Sequence, residues 1–237
     1  MKRLVILFFA ISWSQFATAN VVVFSTDFEG LLPSEISPGT ATVVGVQGYS
    51  GLGMVGNQFG GSFLRSATAN TVTLTLANLP AHNFISLGFL FAAIDSLDGT
   101  GTFPQGDFFS ISLDGTEIFS ESFANATDAQ IQSYEPPVNV TLARKADLGF
   151  TVGSFFRDSA YDMGADPQFQ NIMHSASTAE FEFVMEGEGV QSLTDESWAI
   201  DNLVVSVSPV PVPAMLPLFV VALGFCRFHQ RTTLNLV

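Results

Sequence analysis

The chain has 237 residues, 47% of them hydrophobic, with 22 acidic side chains against 8 basic ones, 24 phenylalanines and one cysteine. Lys2, Arg3, Arg227 and Arg231 lie at the two ends, so residues 20–208 set four bases against all 22 acids, a net −18. Such a surface repels phosphate backbones, which excludes nucleic-acid binding, and Cys226 alone gives no disulfide framework, thiolate zinc site or cysteine nucleophile.

Residues 1–19 have the pattern of a secretory signal peptide. Lys2 and Arg3 precede an apolar run from Leu4 to Ile11, and Ala17-Thr18-Ala19 supplies a small-x-small cleavage site. Cleavage there starts the mature chain at Asn20, with no cysteine to carry a lipid.

From residue 20 to 208 the apolar residues recur with period two. The Gly-rich segment 45–61 contains Gly51-Leu52-Gly53-Met54-Val55-Gly56, formally a dinucleotide fingerprint, but Asn57-Gln58-Phe59-Gly60-Gly61 opens no helix, so a flexible β-loop is expected. Val72, Leu74 and Leu76 alternate with threonines, and Phe109, Ile111 and Leu113 alternate with serines before the hairpin signal Asp114-Gly115. Val138, Val140 and Leu142 alternate in the same way, whereas 143–177 fits neither period and reads as loop with one short helix. Phe181, Phe183 and Met185 face away from Glu180 and Glu182, and a closing strand runs through Ser197–Val205. Eight to ten strands separated by Gly, Asn and Asp turns predict an all-β fold, a single antiparallel β-sandwich of jelly-roll type with a phenylalanine-rich core.

Catalytic arrangements are absent. His82 and His174 are the only imidazoles of the body, Gly48-Tyr49-Ser50-Gly51 completes no nucleophile elbow, and the Glu-x-Asp-x-x-Glu strand of jelly-roll glucanases does not occur, so no enzyme is expected. Calcium fits better, since hard cations take carboxylate and carbonyl oxygens. One candidate site joins Asp27 and Glu29 on the opening strand to Asp201 on the closing one. Period two from Leu203, Val205 and Val207 places Asp201 on the inward face, where a cation or backbone amides must satisfy it. The alternative site is Asp95, Asp98 and Asp107, completed by Asp195-Glu196, against the plain reading of a solvated acidic turn. No EF-hand spacing accompanies either set.

Residues 209–237 form a tail. Val210-Pro211-Val212-Pro213-Ala214 opens an uncharged stretch to Cys226, followed by Arg227, His229 and Arg231. A helix from Ala214 to Cys226 would be about 20 Å long, short of a hydrocarbon core of roughly 30 Å, and the flanking bases favour the cytoplasmic side.

The Val-Pro-x-Pro-Ala motif, apolar helix and basic end resemble the VPxPA variant of the PEP-CTERM sorting signal. That resemblance implies export in a Gram-negative bacterium, a transient inner-membrane anchor, and processing by an exosortase-type protease. The basic patch is sparser than in that family, and Thr232 to Val237 follow it. Ile94-Asp95-Ser96-Leu97-Asp98-Gly99, Gly106-Asp107-Phe108-Phe109 and Asp195-Glu196-Ser197-Trp198-Ala199-Ile200-Asp201-Asn202 are similar to a secreted, lectin-like β-sandwich domain of bacterial surface proteins, with Leu97 and Ala199 where relatives carry Trp and Gly. This resemblance implies likeness to carbohydrate-binding jelly rolls and no defined reaction; joined to the end signals and the acidic clusters, it leads to the expectation of an envelope or extracellular-matrix protein that binds polysaccharide with calcium support. The competing readings are a polysaccharide hydrolase using Asp95, Asp98 and Asp107, and a structural matrix component without a ligand.

Overall fold

The structure, a computed structural model, describes residues 19–100, 106–150, 157–188 and 190–210. Ala17 of the cleavage site, and Pro211, Val212, Pro213, Ala214, Arg227 and Arg231 of the sorting motif, lie outside the described residues. Ala19 and Val210 are described and exposed. Among the described residues no helix is long and apolar enough to cross a membrane.

The period-two segments form strands except at Val138 and Val140, which lie in the turn before the strand that begins at Thr141, and every pairing between strands is antiparallel. In chain order these are β1 (Val21–Thr26), β2 (Ile36–Ser37), β3 (Thr42–Gly45), β4 (Gly53–Met54), β5 (Asn57–Gln58), β6 (Ser62–Ala67), β7 (Val72–Ala77) and β8 (His82–Asp95). There follow β9 (Phe108–Leu113), β10 (Thr116–Ser122), β11 (Thr141–Ala146), β12 (Asp158–Asp162), β13 (Ile172–Met173), β14 (Thr178–Glu186) and β15 (Glu196–Pro209). The larger sheet has the order β11-β12-β8-β15-β6-β3, with β1 also on β15 and β13 also on β8. The smaller runs β10-β9-β14-β7-β2, giving the expected β-sandwich. At the β9–β10 turn Asp114 and Gly115 both have positive φ, 50° and 74°, as a two-residue hairpin requires.

The main core lies between these sheets, filled by alternate residues of facing strands. Phe89 and Phe91 of β8 meet Phe109 of β9 and Phe183 of β14, with Phe91 stacked on Phe109 at 4.3 Å and Phe89 edge-on to Phe183 at 5.8 Å. A second cluster uses the opposite parity of β8, Leu90, Ala92 and Ile94, together with Ala199 of β15 and Phe63 of β6. Tyr49, Phe59, Leu148 and Phe150 cover it, so the larger sheet is buried on both faces.

Three local expectations are corrected. The Gly-rich segment 45–61 is a packed cover, because Tyr49 and Phe59 are buried and the Tyr49 hydroxyl donates to Ala93 O at 3.2 Å. The stretch 143–177 contributes β12, whose five residues are all buried between β8 and β11, and its helical turns are short 3₁₀ segments at Met163–Ala165 and Pro167–Phe169. Its mixture of Asp, Ser, Ala and Tyr hides a strand most of whose polar groups are bonded internally, Asp162 Oδ1 excepted. Finally, β15 has a register shift between Asp201 and Val204, where Asn202 has φ 47°. The extra residue reverses the alternation, so Trp198 and Ile200 share the core with Leu203, while Asp201 falls on the side of Ala199.

Candidate metal centre

Two strand ends and one loop bring carboxylates together. β8 finishes at Asp95, directly opposite Glu196, the first residue of β15. Ser96 ties the two connections, its hydroxyl donating to Asp195 O at 3.0 Å and to Asp195 Oδ1 at 3.1 Å. Leu97 is fully buried in the main core, which draws the chain inward and sets Asp98 beneath the surface. Asp98 N then donates to Asp107 Oδ2 at 2.6 Å, and Asp107 N returns a bond to Asp98 O at 2.9 Å.

Asp98, Asp107 and Glu196 each point one carboxylate oxygen into a common space, and those oxygens lie within 4.8 Å of one another. The three residues are 8%, 1% and 0% exposed. Gln130 Nε2 donates to Asp98 Oδ1, and Gln191 donates twice to Glu196, from N at 3.0 Å and Nε2 at 2.9 Å. These donors are uncharged. Among the described residues the ion pairs are Lys145 and Arg157 with Asp128, and His174 with Asp114, so none neutralises the three acids. Asp107 Oδ1 is buried with no hydrogen-bond partner.

The electrostatics follow from this shortage. Burial, reinforced by the neighbouring carboxylates of Asp107 and Asp98, pushes Glu196 up to about 8 against the Gln191 bonds. Burial likewise raises Asp107 to about 6, with the Asp98 amide opposing and the Asp98 carboxylate adding to the rise. Three buried acids without a counter-charge either hold protons or gather round a cation. An orphaned oxygen aimed into an all-oxygen cradle suits a hard metal ion, and the group can hold one.

The other sequence-derived site has a different arrangement. Asp201 is fully buried, but its Oδ2 accepts from Gly60 N at 2.9 Å and its Oδ1 from Asn202 N at 2.7 Å. Burial raises it to about 6 while these amides oppose the rise. Glu29 Oε1 accepts from Gly61 N and Ser62 N, and Asp27 Oδ1 from Glu29 N at 3.2 Å. Backbone amides thus reach all three carboxylates of the Asp27, Glu29 and Asp201 set. Of the alternative set, Asp98 and Asp107 converge and Glu196 completes them. Asp95 is buried alongside, its N–H donating to Asp158 Oδ1 at 2.9 Å. The contributions of Gln130 and Gln191 carry no sequence signal, since neither lies in a motif.

An open groove of about 490 Å³ is lined by Gly106, the neighbour of Asp107 in the chain, with Phe108, Ser110, Ser120, Glu117 and Glu186. The three tyrosines are all buried, Tyr134 bonding Asp166 Oδ2 at 2.7 Å and Tyr161 bonding Gln132 Oε1 at 3.2 Å, so none forms an exposed stacking platform.

The fold and this site define an all-β sandwich with a buried, all-carboxylate centre able to hold a metal ion. No protein-family model matches the chain, and no curated protein matches it. Among solved structures it is similar to the catalytic domain of a GH87 alpha-1,3-glucanase in complex with nigerose (13% identity, TM-score 0.31). It is also similar to the CBM22-1–GH10 modules of Clostridium thermocellum xylanase 10B (9% identity, TM-score 0.29). Each alignment covers 83% of this chain and 30% of the other. The chain therefore spans under a third of those structures, and likeness at these TM-scores brings no activity with it.

Proposed function

We propose that this chain is an exported, non-catalytic protein of a bacterial envelope or extracellular matrix whose sandwich is completed by calcium at Asp98, Asp107 and Glu196. The observation that carries the reading is the buried triad with its orphaned Asp107 Oδ1 and no cationic neighbour among the described residues. Zinc favours nitrogen and sulfur ligands, which the triad lacks, and magnesium demands near-ideal octahedral geometry and keeps its waters. Calcium accepts irregular oxygen sets, and an export signal at 1–19 would deliver the body to surroundings rich in it. Burial of the carboxylates supports the absence of catalysis, because a glycosidic bond cannot reach between them.

In this reading the tail 209–237 anchors the protein transiently until an exosortase-type protease cuts near Pro213. Neutral polysaccharide is the partner class, since a body at −18 repels polyanions. Its contact surface is the hydroxyl- and carboxylate-lined groove at Ser110, Ser120 and Glu117, whose rim at Gly106 adjoins the calcium ligand Asp107.

Thermal unfolding with and without calcium tests the centre. Calcium should raise the Tm of wild type and of D201N, and leave D107N unmoved. No calcium response in wild type sinks the proposal, and loss of the response in D201N alone moves the site to the β1–β15 junction. Mass spectrometry of the secreted protein tests the sorting step, which an intact C-terminus would overturn.

A further inference from the structure

A second buried polar assembly lies away from the carboxylate centre, where the start of β8 meets the β9–β10 turn. His82 and His174 lie edge to edge and nearly coplanar, with ring centroids 5.0 Å apart and planes 15° from parallel. His82 Nε2 lies 2.7 Å from His174 Nδ1. At the outer ends, His82 Nδ1 is 2.6 Å from Pro80 O and His174 Nε2 is 3.1 Å from Asp114 Oδ2. Both rings are almost wholly shielded, His82 at 2% exposure and the His174 side chain at 5%.

The partners fix the proton count. A carbonyl oxygen only accepts, so His82 Nδ1 carries hydrogen; an ionised carboxylate only accepts, so His174 Nε2 carries one too. The central contact takes one further hydrogen, held by either ring. Three hydrogens on four ring nitrogens make one imidazole and one imidazolium. With two hydrogens the chain loses a contact, and with four it sets two N–H groups head to head.

We infer that His82, His174 and Asp114 form a proton-holding clamp between the two sheets, closed when the histidine pair carries a single positive charge and opened by gain or loss of one proton. His82 and His174 belong to the larger sheet, through β8 and the Asn83 carbonyl that accepts from His174 N at 3.2 Å. Asp114 belongs to the smaller, where its Oδ1 accepts from Glu180 N and its own N–H donates to Glu180 O, both at 2.9 Å. Among the described residues the titratable groups brought to the pair are therefore Asp114 from the turn and, behind it, Glu180 of β14, whose carboxylate faces Thr75 Oγ1 of β7. β8, β13 and β15 present Asn83, Met173 and Pro209 there, none of which titrates. The acid end gives the extra proton a counter-charge.

D114N separates this from a merely structural contact. The amide that it introduces can keep the acceptor for Glu180 N and donate to His174 Nε2, which satisfies the whole chain with two neutral imidazoles. The experiment is a pH titration of histidine-labelled protein by ¹H–¹⁵N NMR, on wild type and D114N, with His229→Gln as the common background. Wild type should show coupled His82 and His174 signals with three ring N–H groups at neutral pH. Under the same conditions D114N should show two ring N–H groups, one on each neutral imidazole, because its own amide supplies the third hydrogen of the chain. Two ring N–H groups in wild type, or three in D114N, would overturn the clamp. Neither readout depends on added calcium, so it stands apart from the Asp98, Asp107 and Glu196 proposal.

Discussion

Replacing Glu196 by Gln gives the sharpest prediction, because the same change should help the cation-free protein and deprive it of the cation. Glu196 is fully buried and raised from 4.5 to about 8, so at pH 7 the folded state retains a proton that the unfolded chain has released. The interval from 4.5 to pH 7 corresponds to about 3 kcal/mol of lost stability. E196Q removes that term but turns its amide towards one of the two Gln191 donors, which costs about 1 kcal/mol. The net expectation in chelator at pH 7 is a gain of about 2 kcal/mol, or about 4–8 °C in Tm for a domain of this size. Calcium at a hundredfold excess over Kd raises wild type by about 2.7 kcal/mol and leaves E196Q where it was, so the gap closes. Differential scanning calorimetry in chelator and in calcium measures all four states. An E196Q protein less stable than wild type in chelator, or equal calcium increments in both, refutes the reasoning.

The remaining predictions use the same scale. In chelator, stability should fall as pH rises from about 4 to 8, since Asp107 and Glu196 have raised folded pKa values and the unfolded chain ionises first; calcium should flatten that slope, as denaturant titrations at several pH values will show. At Gly187 a Cβ would overlap Gly106 O and press within 3.3 Å of Asp107 Cα, so G187A should lower calcium affinity in isothermal titration while leaving far-ultraviolet circular dichroism unchanged. F91A removes a ring packed on Phe109, Phe123 and Tyr161 and should cost about 3–5 kcal/mol in urea unfolding, with no specific effect on the calcium increment.

The strands that the sequence reveals are those buried on one face. β7, β9 and β14 alternate Val72, Leu74 and Leu76, or Phe109, Ile111 and Leu113, with polar partners, because the smaller sheet has one dry side and one wet one. β12 escapes detection for the opposite reason. It is covered on both sides, and Asp158 and Ser159 are tolerated there because neighbours meet their polar groups: Asp158 Oδ1 and Oδ2 accept from Asp95 N and Leu148 N, each at 2.9 Å. Composition alone cannot tell such a strand from a loop, since what makes its polar residues admissible lies elsewhere in the chain.

The same non-locality decides between the two acidic clusters. Sequence spacing favours Asp201 as a cation ligand, because a carboxylate on an inward-facing strand needs a partner. Its partner is Gly60 N, 141 residues away, in a Gly-rich segment that also turns the amides of Gly61 and Ser62 onto Glu29. Glycines let the backbone approach closely enough to answer a carboxylate with N–H groups, and a cation adds less where amides already bind. The Asp98, Asp107 and Glu196 group draws on two backbone amides, Asp98 N and Gln191 N, and on the side-chain amides of Gln130 and Gln191, and leaves Asp107 Oδ1 without any donor. Acid count is equal at three in both clusters, so charge cannot discriminate between them. What separates them is Asp107 Oδ1, buried without a partner in the group that could hold a metal ion, beside the junction of β8 and β15.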